Sequence, residues 1–237
     1  MDAQTICSLA RQIAKCPNYT TQSGQLLNSV LSDLCQTYDF DVIRKTDLSI
    51  TLSTGTGSGP YALPSDFLRA RILEVFYTIN GVKYVMVNLE LWEYDALVQQ
   101  SGINNFPQSY TIDVSKVDNA QPVLYVWPPA SGSYPLTIRY QPQMPDITTP
   151  ESSSSTPWFP NTNYLITRLA GELMKLTNDD RAPAYLGDGG QGAEGILRKY
   201  LDLKDDPEGR AKRVQLDRRF FGNRFNRLPN TKLIGWT

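Results

Sequence analysis

The chain has 237 residues, 41% hydrophobic and 20% charged, an ordinary composition for one large or two small soluble domains. It contains no histidine, so any enzymatic site would lack the side chain most often used for proton transfer near neutral pH. No apolar run reaches the roughly eighteen residues that a membrane-spanning helix needs. The sequence "MDAQTICSLARQIAKC" (1–16) begins with an acid and lacks a continuous apolar segment, so no signal peptide is expected.

The net charge of −1 hides an asymmetry between the body of the chain and its C-terminal end. Residues 209–237 hold 8 of the 23 Lys and Arg and 1 of the 24 Asp and Glu, which gives +7. The preceding residues 1–208 therefore hold 15 basic and 23 acidic side chains, which gives −8. An acidic body with a basic end is typical of a chain with an interaction tail.

Helices are predicted at both ends of the acidic body, because apolar residues recur there at helical spacing. In the N-terminal half, one stripe runs from Ile6 to Ile13 and a second from Leu26 to Tyr38. After residue 160, two further stripes cover 165–174 and 193–201. The sequence "GDGGQG" (187–192), between the last two, lacks the Gly-Lys-Ser/Thr ending of a phosphate loop and is interpreted as an interhelical turn.

Between these helices the apolar pattern changes to period two, which indicates about 100 residues of antiparallel β-structure in a small sandwich or barrel. "ARILEVFYTINGVKYVMV" (70–87) predicts a hairpin, because Asn80-Gly81 suits the positive φ angles of a type I′ turn. A short helix is predicted over 89–99. Further strands are predicted at 48–52, 110–114, 122–127 and 135–140.

The predicted fold class is α+β: a bundle of about four helices with an inserted β-rich unit and an extended C-terminal arm. The bundle would comprise 1–42 and 158–206, and the β-rich insertion 43–145. The Pro- and Ser-rich stretch over 144–160 is predicted to bury little. A linker would span 146–157 within it, and the arm 207–237. The insertion could instead be a fully separate domain.

No catalytic, cofactor or metal site is predicted. Cys7, Cys16 and Cys35 are too widely spaced for a zinc site, which typically uses two close pairs of ligands. The adjacent carboxylates Asp179–Asp180 and Asp205–Asp206 stand at predicted helix ends, where solvation favours a structural role over catalysis. The chain is therefore not expected to be an enzyme, although a lysine- or carboxylate-based hydrolase or transferase stays open as a remote alternative.

The arm is the strongest candidate for a functional site, because it interleaves basic and apolar side chains, and disordered tails are poor in the latter. Ordering a segment of this length costs about 30–50 kcal/mol of backbone entropy. Eight exposed ion pairs at about 0–1 kcal/mol each could not offset this cost, whereas burial of apolar surface in a protein groove could. The predicted docking residues are Arg210, Lys212, Arg213, Arg218, Arg219, Phe220, Phe221, Arg224, Phe225, Arg227, Leu228, Leu233, Ile234 and Trp236.

Three stretches of the chain match the pattern of one known protein family. "YALPSDFLRARIL" (61–73) is similar to an extended segment ending in Leu-Pro-x-Asp-Phe-Leu ahead of a strand. "LTIRYQPQMPD" (136–146) and "YLITRLAGELMKLTNDDRAPAYL" (164–186) are similar to the strand before the linker and the later helix pair. Over roughly residues 1–205 the chain thus resembles the head-to-tail adaptor (connector) proteins of short-tailed phages.

The resemblance implies a structural virion protein whose helical bundles form a twelve-fold ring between the portal protein and the tail nozzle or tube. In such proteins the ring extends the channel through which double-stranded DNA passes, and C-terminal arms embrace the portal. The resemblance also implies a location at the portal vertex of the virion after assembly in the host cytoplasm, with no membrane partner. The β-rich insertion departs from the smallest adaptors, which are mostly helical, and the surface it would contact stays open.

A second hypothesis is a nucleic-acid-binding module that uses the basic arm. The acidic body argues against it, since affinity for DNA rises with each phosphate that Lys or Arg neutralises. The two hypotheses differ in whether removal of the arm affects binding to a portal ring or to DNA.

Overall fold

The computed structural model describes residues 1–54, 57–98, 105–113 and 122–205, without the side chains of residues 68–71 and 203–205. Within these ranges the chain folds as α+β, as the sequence predicts. The helices are α1 (Ala3–Ala14), α2 (Thr20–Thr37), α3 (Leu91–Val98), α4 (Thr162–Leu176), α5 (Ala182–Leu186) and α6 (Ala193–Asp205).

The helical part of the molecule is organised around α4, which packs against α1, α2, α5 and α6. Its N-terminus is capped by the side chain of Asn161, which accepts a hydrogen bond of 3.0 Å from the backbone N–H of Tyr164. Leu165, Leu169 and Leu173 then form a fully buried stripe along the helix. Because both ends of the described chain supply helices to this core, the two predicted helix pairs form one packing unit.

Strands occupy the middle of the chain. They are β1 (Lys45–Asp47), β2 (Thr51–Leu52), β3 (Tyr61–Ala62), β4 (Phe67–Ile79), β5 (Val82–Val85), β6 (Val87–Asn88), β7 (Ser109–Asp113), β8 (Val123–Trp127) and β9 (Tyr134–Pro142). The first sheet has the order β1-β9-β4-β5, with β2 also paired to β9, and the second has the order β3-β8-β7-β6.

The two sheets share one hydrophobic core, as expected for a small sandwich. Leu136 and Ile138 contribute to it from the first sheet, and Leu124 and Val126 from the second; all four are completely buried. One pairing differs from the prediction, because β6 runs parallel to β7. The chain reaches this parallel arrangement through α3, which packs against β7 and β8.

The hairpin predicted at Asn80-Gly81 is confirmed. Ile79 pairs with Val82 across a two-residue turn, and Asn80 and Gly81 adopt φ angles of 49° and 81°. Both angles lie in the left-handed region that a type I′ turn requires.

The Pro- and Ser-rich segment over 144–160 buries more than its composition predicts. The carbonyls of Ser153 and Ser155 accept hydrogen bonds from the backbone N–H groups of Gln4 and Ala3, in the first turn of α1. Phe159 is 1% exposed and lies in the helical core among other aromatic rings. The segment is therefore packed along the helices and satisfies donors that the start of a helix leaves without intrahelical partners.

Candidate interaction surfaces

The predicted docking residues, from Arg210 to Trp236, lie outside the described residues. The described chain ends within α6, which runs to Asp205 and leads directly into the arm. The surfaces considered below therefore belong to the residues that precede the arm in the sequence.

The two hydrophobic cores meet where β9 ends beside the C-terminus of α2. The side chain of Gln141 is completely buried there, and its Nε2 donates hydrogen bonds to the carbonyls of Cys35 (2.7 Å) and Tyr38 (2.9 Å). The last carbonyls of a helix lack intrahelical partners, so this amide caps α2 from the sheet. The Sγ of Cys35 donates in return to the carbonyl of Pro142, at 3.3 Å. We call this junction, formed by Cys35, Tyr38, Gln141 and Pro142, the neck.

A second connection lies just beyond the neck. The amide of Asn28 makes two hydrogen bonds with the backbone of Ile147: Nδ2 donates to the carbonyl at 3.0 Å, and Oδ1 accepts from the N–H at 3.1 Å. The side-chain amide of Asn28 on α2 therefore bonds both backbone groups of Ile147, in the chain that leaves β9. Together with the neck, this pairing connects the helical part to the first sheet through hydrogen bonds that are partly or wholly buried.

The Leu-Pro-x-Asp-Phe stretch (63–67), which carried part of the family resemblance, joins three strands next to the neck. The backbone carbonyl of Asp66 accepts a hydrogen bond of 2.6 Å from the N–H of Gln143. The carboxylate of Asp66 accepts from Lys45 on β1 (2.6 Å) and from the hydroxyl of Tyr140 on β9 (2.8 Å). Phe67 is buried with its ring 5.8 Å from that of Tyr140. The role of this motif within the described structure is architectural.

The electrostatics of this cluster favour an ionised carboxylate. Burial alone would raise the pKa of Asp66, but the hydrogen bonds from Lys45 and Tyr140 outweigh it, and the pKa is lowered. Burial, together with the hydrogen bond to Asp66, raises the pKa of Tyr140. At neutral pH the pair is therefore a charged acceptor with a neutral donor.

A groove of mixed charge lies between α2, α4 and α6. Its carboxylates are Asp33, Glu194 and Asp202, and its guanidinium groups are Arg168 and Arg198. Burial raises the pKa of Tyr164, which also lines the groove, to about 12, so its hydroxyl stays neutral. Because both signs of charge are present, the groove lacks the one-sided field that binds phosphate or a metal ion.

Within the described ranges no three or more Cys, Asp or Glu side chains lie close enough together to hold a metal ion. In the same ranges no helix combines the length and the apolar composition needed to cross a membrane. Cys7, Cys16 and Cys35 are all buried and unpaired by disulfides.

Comparison with known proteins gives the chain its family. A family model described as SU10 adaptor protein matches residues 1–219. The chain belongs to the SU10 adaptor protein family. The match includes both parts of the helical core, the sandwich and the first part of the arm, and it ends before Phe220. A search of curated proteins found no match.

Membership of the SU10 adaptor family confirms the resemblance to phage head-to-tail adaptors. The protein is a phage adaptor, a structural component of the virion at the junction between capsid and tail. The neck and the Asn28–Ile147 pairing were not found by sequence reasoning. The available signals were Gln141, which breaks the period-two pattern at the end of a strand, and Asn28, a polar residue within an otherwise apolar helical stripe.

We expect Gln141→Leu to weaken the connection between the helical part and the sandwich. The substitution keeps a similar volume but removes the donor from the buried carbonyl of Cys35 and from the partly buried carbonyl of Tyr38, which costs about 1–3 kcal/mol. Urea denaturation should show this loss in the free energy of unfolding, and amide exchange at the C-terminal turn of α2 should accelerate. Gln143→Leu, the same change at an exposed position two residues on, is the matched control and should alter neither measurement.

We expect Asp66→Asn to be less stable than the wild type at pH 7, by about 1 kcal/mol for the lost charge-assisted hydrogen bonds. Because the pKa of Asp66 is lowered on folding, its ionised form stabilises the fold above the unfolded pKa of about 3.9. This contribution disappears as the pH falls through the lower folded pKa. Thermal unfolding at several pH values should show the two proteins converging below about pH 4, and a constant difference across that range would contradict the assignment.

Proposed function

We propose that this chain forms a twelve-fold ring between the portal protein and the tail nozzle or tube. The ring extends the DNA channel, and the genome passes through it during ejection. The observation that carries the proposal is the match of residues 1–219 to the adaptor family. The ring would be assembled on the portal vertex in the host cytoplasm and would remain in the virion.

The arm is proposed to bind the portal. Its residues 209–237 carry a charge of +7 together with Phe220, Phe221, Phe225 and Trp236. Apolar side chains at this density can offset the entropy of ordering a long segment only when they enter a protein groove. The arginines would then make bidentate contacts with carboxylates around that groove and set the register of the arm.

The acidic body supports passage of DNA rather than its retention. Residues 1–208 carry a charge of −8. A channel wall with this charge gains none of the affinity that release of counterions from DNA gives to basic surfaces. The duplex would therefore move through the ring without sequence-specific binding.

Truncation of the chain after residue 209 tests the proposal. We expect the truncated protein to keep its fold by circular dichroism, because both described hydrophobic cores are built from residues that precede the arm, and to lose binding to purified portal rings. Native mass spectrometry should count twelve wild-type copies on each portal ring and none of the truncated protein. The proposal fails if the truncated protein still binds the portal but loses affinity for double-stranded DNA, which is the outcome expected of a nucleic-acid-binding arm.

Trp236→Ala should weaken docking on the portal by about 2 kcal/mol or more, which corresponds to a roughly thirtyfold higher Kd, if the indole fills a pocket as a hot spot. The matched control is Trp92→Ala, which removes a tryptophan that is 70% exposed on α3. The portal affinities of both variants should be measured by titration when few positions on the portal ring are filled. Contacts between neighbouring copies then contribute nothing to binding. Equal affinities for Trp236→Ala and the wild type would show that the terminal residues make no contact.

A further inference from the structure

Several of the large apolar side chains that are exposed among the described residues lie at the two edges of the first sheet. Val42 and Leu48, which precede and follow β1, are 61% and 65% exposed. At the opposite edge, every residue of β5 is exposed, including Val82, Tyr84 and Val85. Other exposed apolar residues continue along the chain from β5 or lie beside it: Val87, Leu91, Trp92 and Phe106. Exposed apolar surface of this kind marks a site of protein interaction.

The edge formed by β5 is open as far as Val85. Two residues on, the N–H of Val87 on β6 points to the same side and donates to the carbonyl of Gln108. Among the described strands β5 pairs only with β4, through Ile79–Val82 next to the turn and Tyr77–Tyr84 two residues on. In an antiparallel pair joined by a two-residue turn, these residues exchange both backbone hydrogen bonds, and the residues between them point their backbone groups away. The N–H and C=O groups of Lys83 and Val85 therefore point to the open edge.

The edge formed by β1 is open in the same way. Within the described ranges β1 pairs only with β9, in the register Lys45–Tyr140, Thr46–Arg139 and Asp47–Ile138. The N–H of Leu136 on β9 donates to the carbonyl of Ile50, so it points to the side of β9 on which β1 and β2 pair. By alternation, Ile138 and Tyr140 bond to β1 as well. Thr46 is then the residue of β1 whose N–H and C=O point outward.

The two edges match each other in direction and in face. Because all the pairings along β1-β9-β4-β5 are antiparallel, β1 and β5 run in opposite directions. Thr46 pairs with Arg139 and Val85 pairs with Phe76, and the guanidinium of Arg139 lies 5.3 Å from the centre of the Phe76 ring. The side chains of Thr46 and Val85 therefore project from the same face of the sheet. The first sheet of a second copy could then continue this sheet with its core face and its solvent face on the same sides.

Charged side chains at these edges already make hydrogen bonds or ion pairs within their own chain. Lys83 bonds to Glu74 at 2.5 Å and Lys45 to Asp66 at 2.6 Å, while Asp47 bonds to the hydroxyl of Ser49 at 2.8 Å. Natural edge strands commonly use charged side chains to prevent pairing with another chain. Here the edges combine exposed apolar residues with charges engaged elsewhere, which favours pairing.

We propose that the β5 edge of one adaptor copy pairs antiparallel with the β1 edge of a second copy, so that the first sheet continues from copy to copy. A contact between two different edges is head-to-tail and generates a ring when its rotation closes. The inference rests on the proposed ring and assigns the surface that joins its neighbours. Val42 and Leu48 would then be covered by the apolar residues of the adjacent β5.

Disulfide trapping of the full chain tests this contact without the portal. Thr46→Cys and Val85→Cys are prepared as two proteins, mixed and oxidised; the native cysteines are buried. We expect mixed dimers to exceed the share that random collision gives, because an antiparallel pair brings the two positions within disulfide distance. Ser29→Cys, at an exposed position on α2, replaces Thr46→Cys in the control mixture. Predominant Val85→Cys homodimers would show a two-fold contact and overturn the proposal, as would mixed dimers no more abundant than in the control.

Proline substitution gives a second measurement, on portal rings. Val85→Pro and Thr46→Pro each remove one outward N–H and leave the bonds inside the sheet in place. We expect each variant to require at least about a tenfold higher concentration than the wild type to fill the portal ring, whereas Val85→Ala, which keeps the N–H, requires less of an increase. Normal filling by both proline variants would overturn the proposal. Failure of the wild type to bind the portal would overturn the proposed function and leave the trapping result as the test of the edge contact.

Discussion

The hydrogen bonds from the buried amide of Gln141 to the end of α2 connect the two halves of this adaptor. Each half has its own hydrophobic core. These hydrogen bonds, together with those from Cys35 to Pro142 and between Asn28 and Ile147, attach the first sheet to α2. Because a buried amide that loses its partners costs free energy, the neck favours one arrangement of sandwich and helices over alternatives. A structural protein that holds two partners in a defined relative position requires such a fixed arrangement.

The neck also accounts for the location of the Leu-Pro-x-Asp-Phe stretch. Asp66 joins the start of β4 to β1 and β9 immediately beside Gln141, so the sheet is held together at the same place where it meets the helices. The distal end of the same sheet carries the tight Asn80-Gly81 turn and the exposed strand β5. The sandwich is therefore firmly tied at one end and presents open backbone groups along its edges, an arrangement suited to contact with neighbouring molecules.

Sequence patterns were sufficient where local physics determines the structure. The helices followed from apolar spacing, and the hairpin followed from the two positive φ angles that Asn80 and Gly81 accept. Patterns failed where a distant partner determines the outcome. The burial of Phe159 depends on rings contributed by Phe40 and Tyr200, and the role of Gln141 depends on helix carbonyls about a hundred positions earlier. The parallel pairing of β6 with β7 was missed because neither strand's sequence distinguishes the direction of its neighbour. The residues of the arm, the predicted docking site, lie outside the described structure and remain a prediction.

The insertion of the sandwich between the helix pairs also affects how the protein is made. Helices α1 and α2 leave the ribosome first, yet the helix around which they pack, α4, begins only at Thr162. During synthesis the sandwich has all of its strands before α4 exists, so it is the first unit able to fold. The N-terminal helices must meanwhile keep their apolar faces from other partners. Incomplete chains that stop within the sandwich would therefore lack α4, the helix around which the helical core is organised.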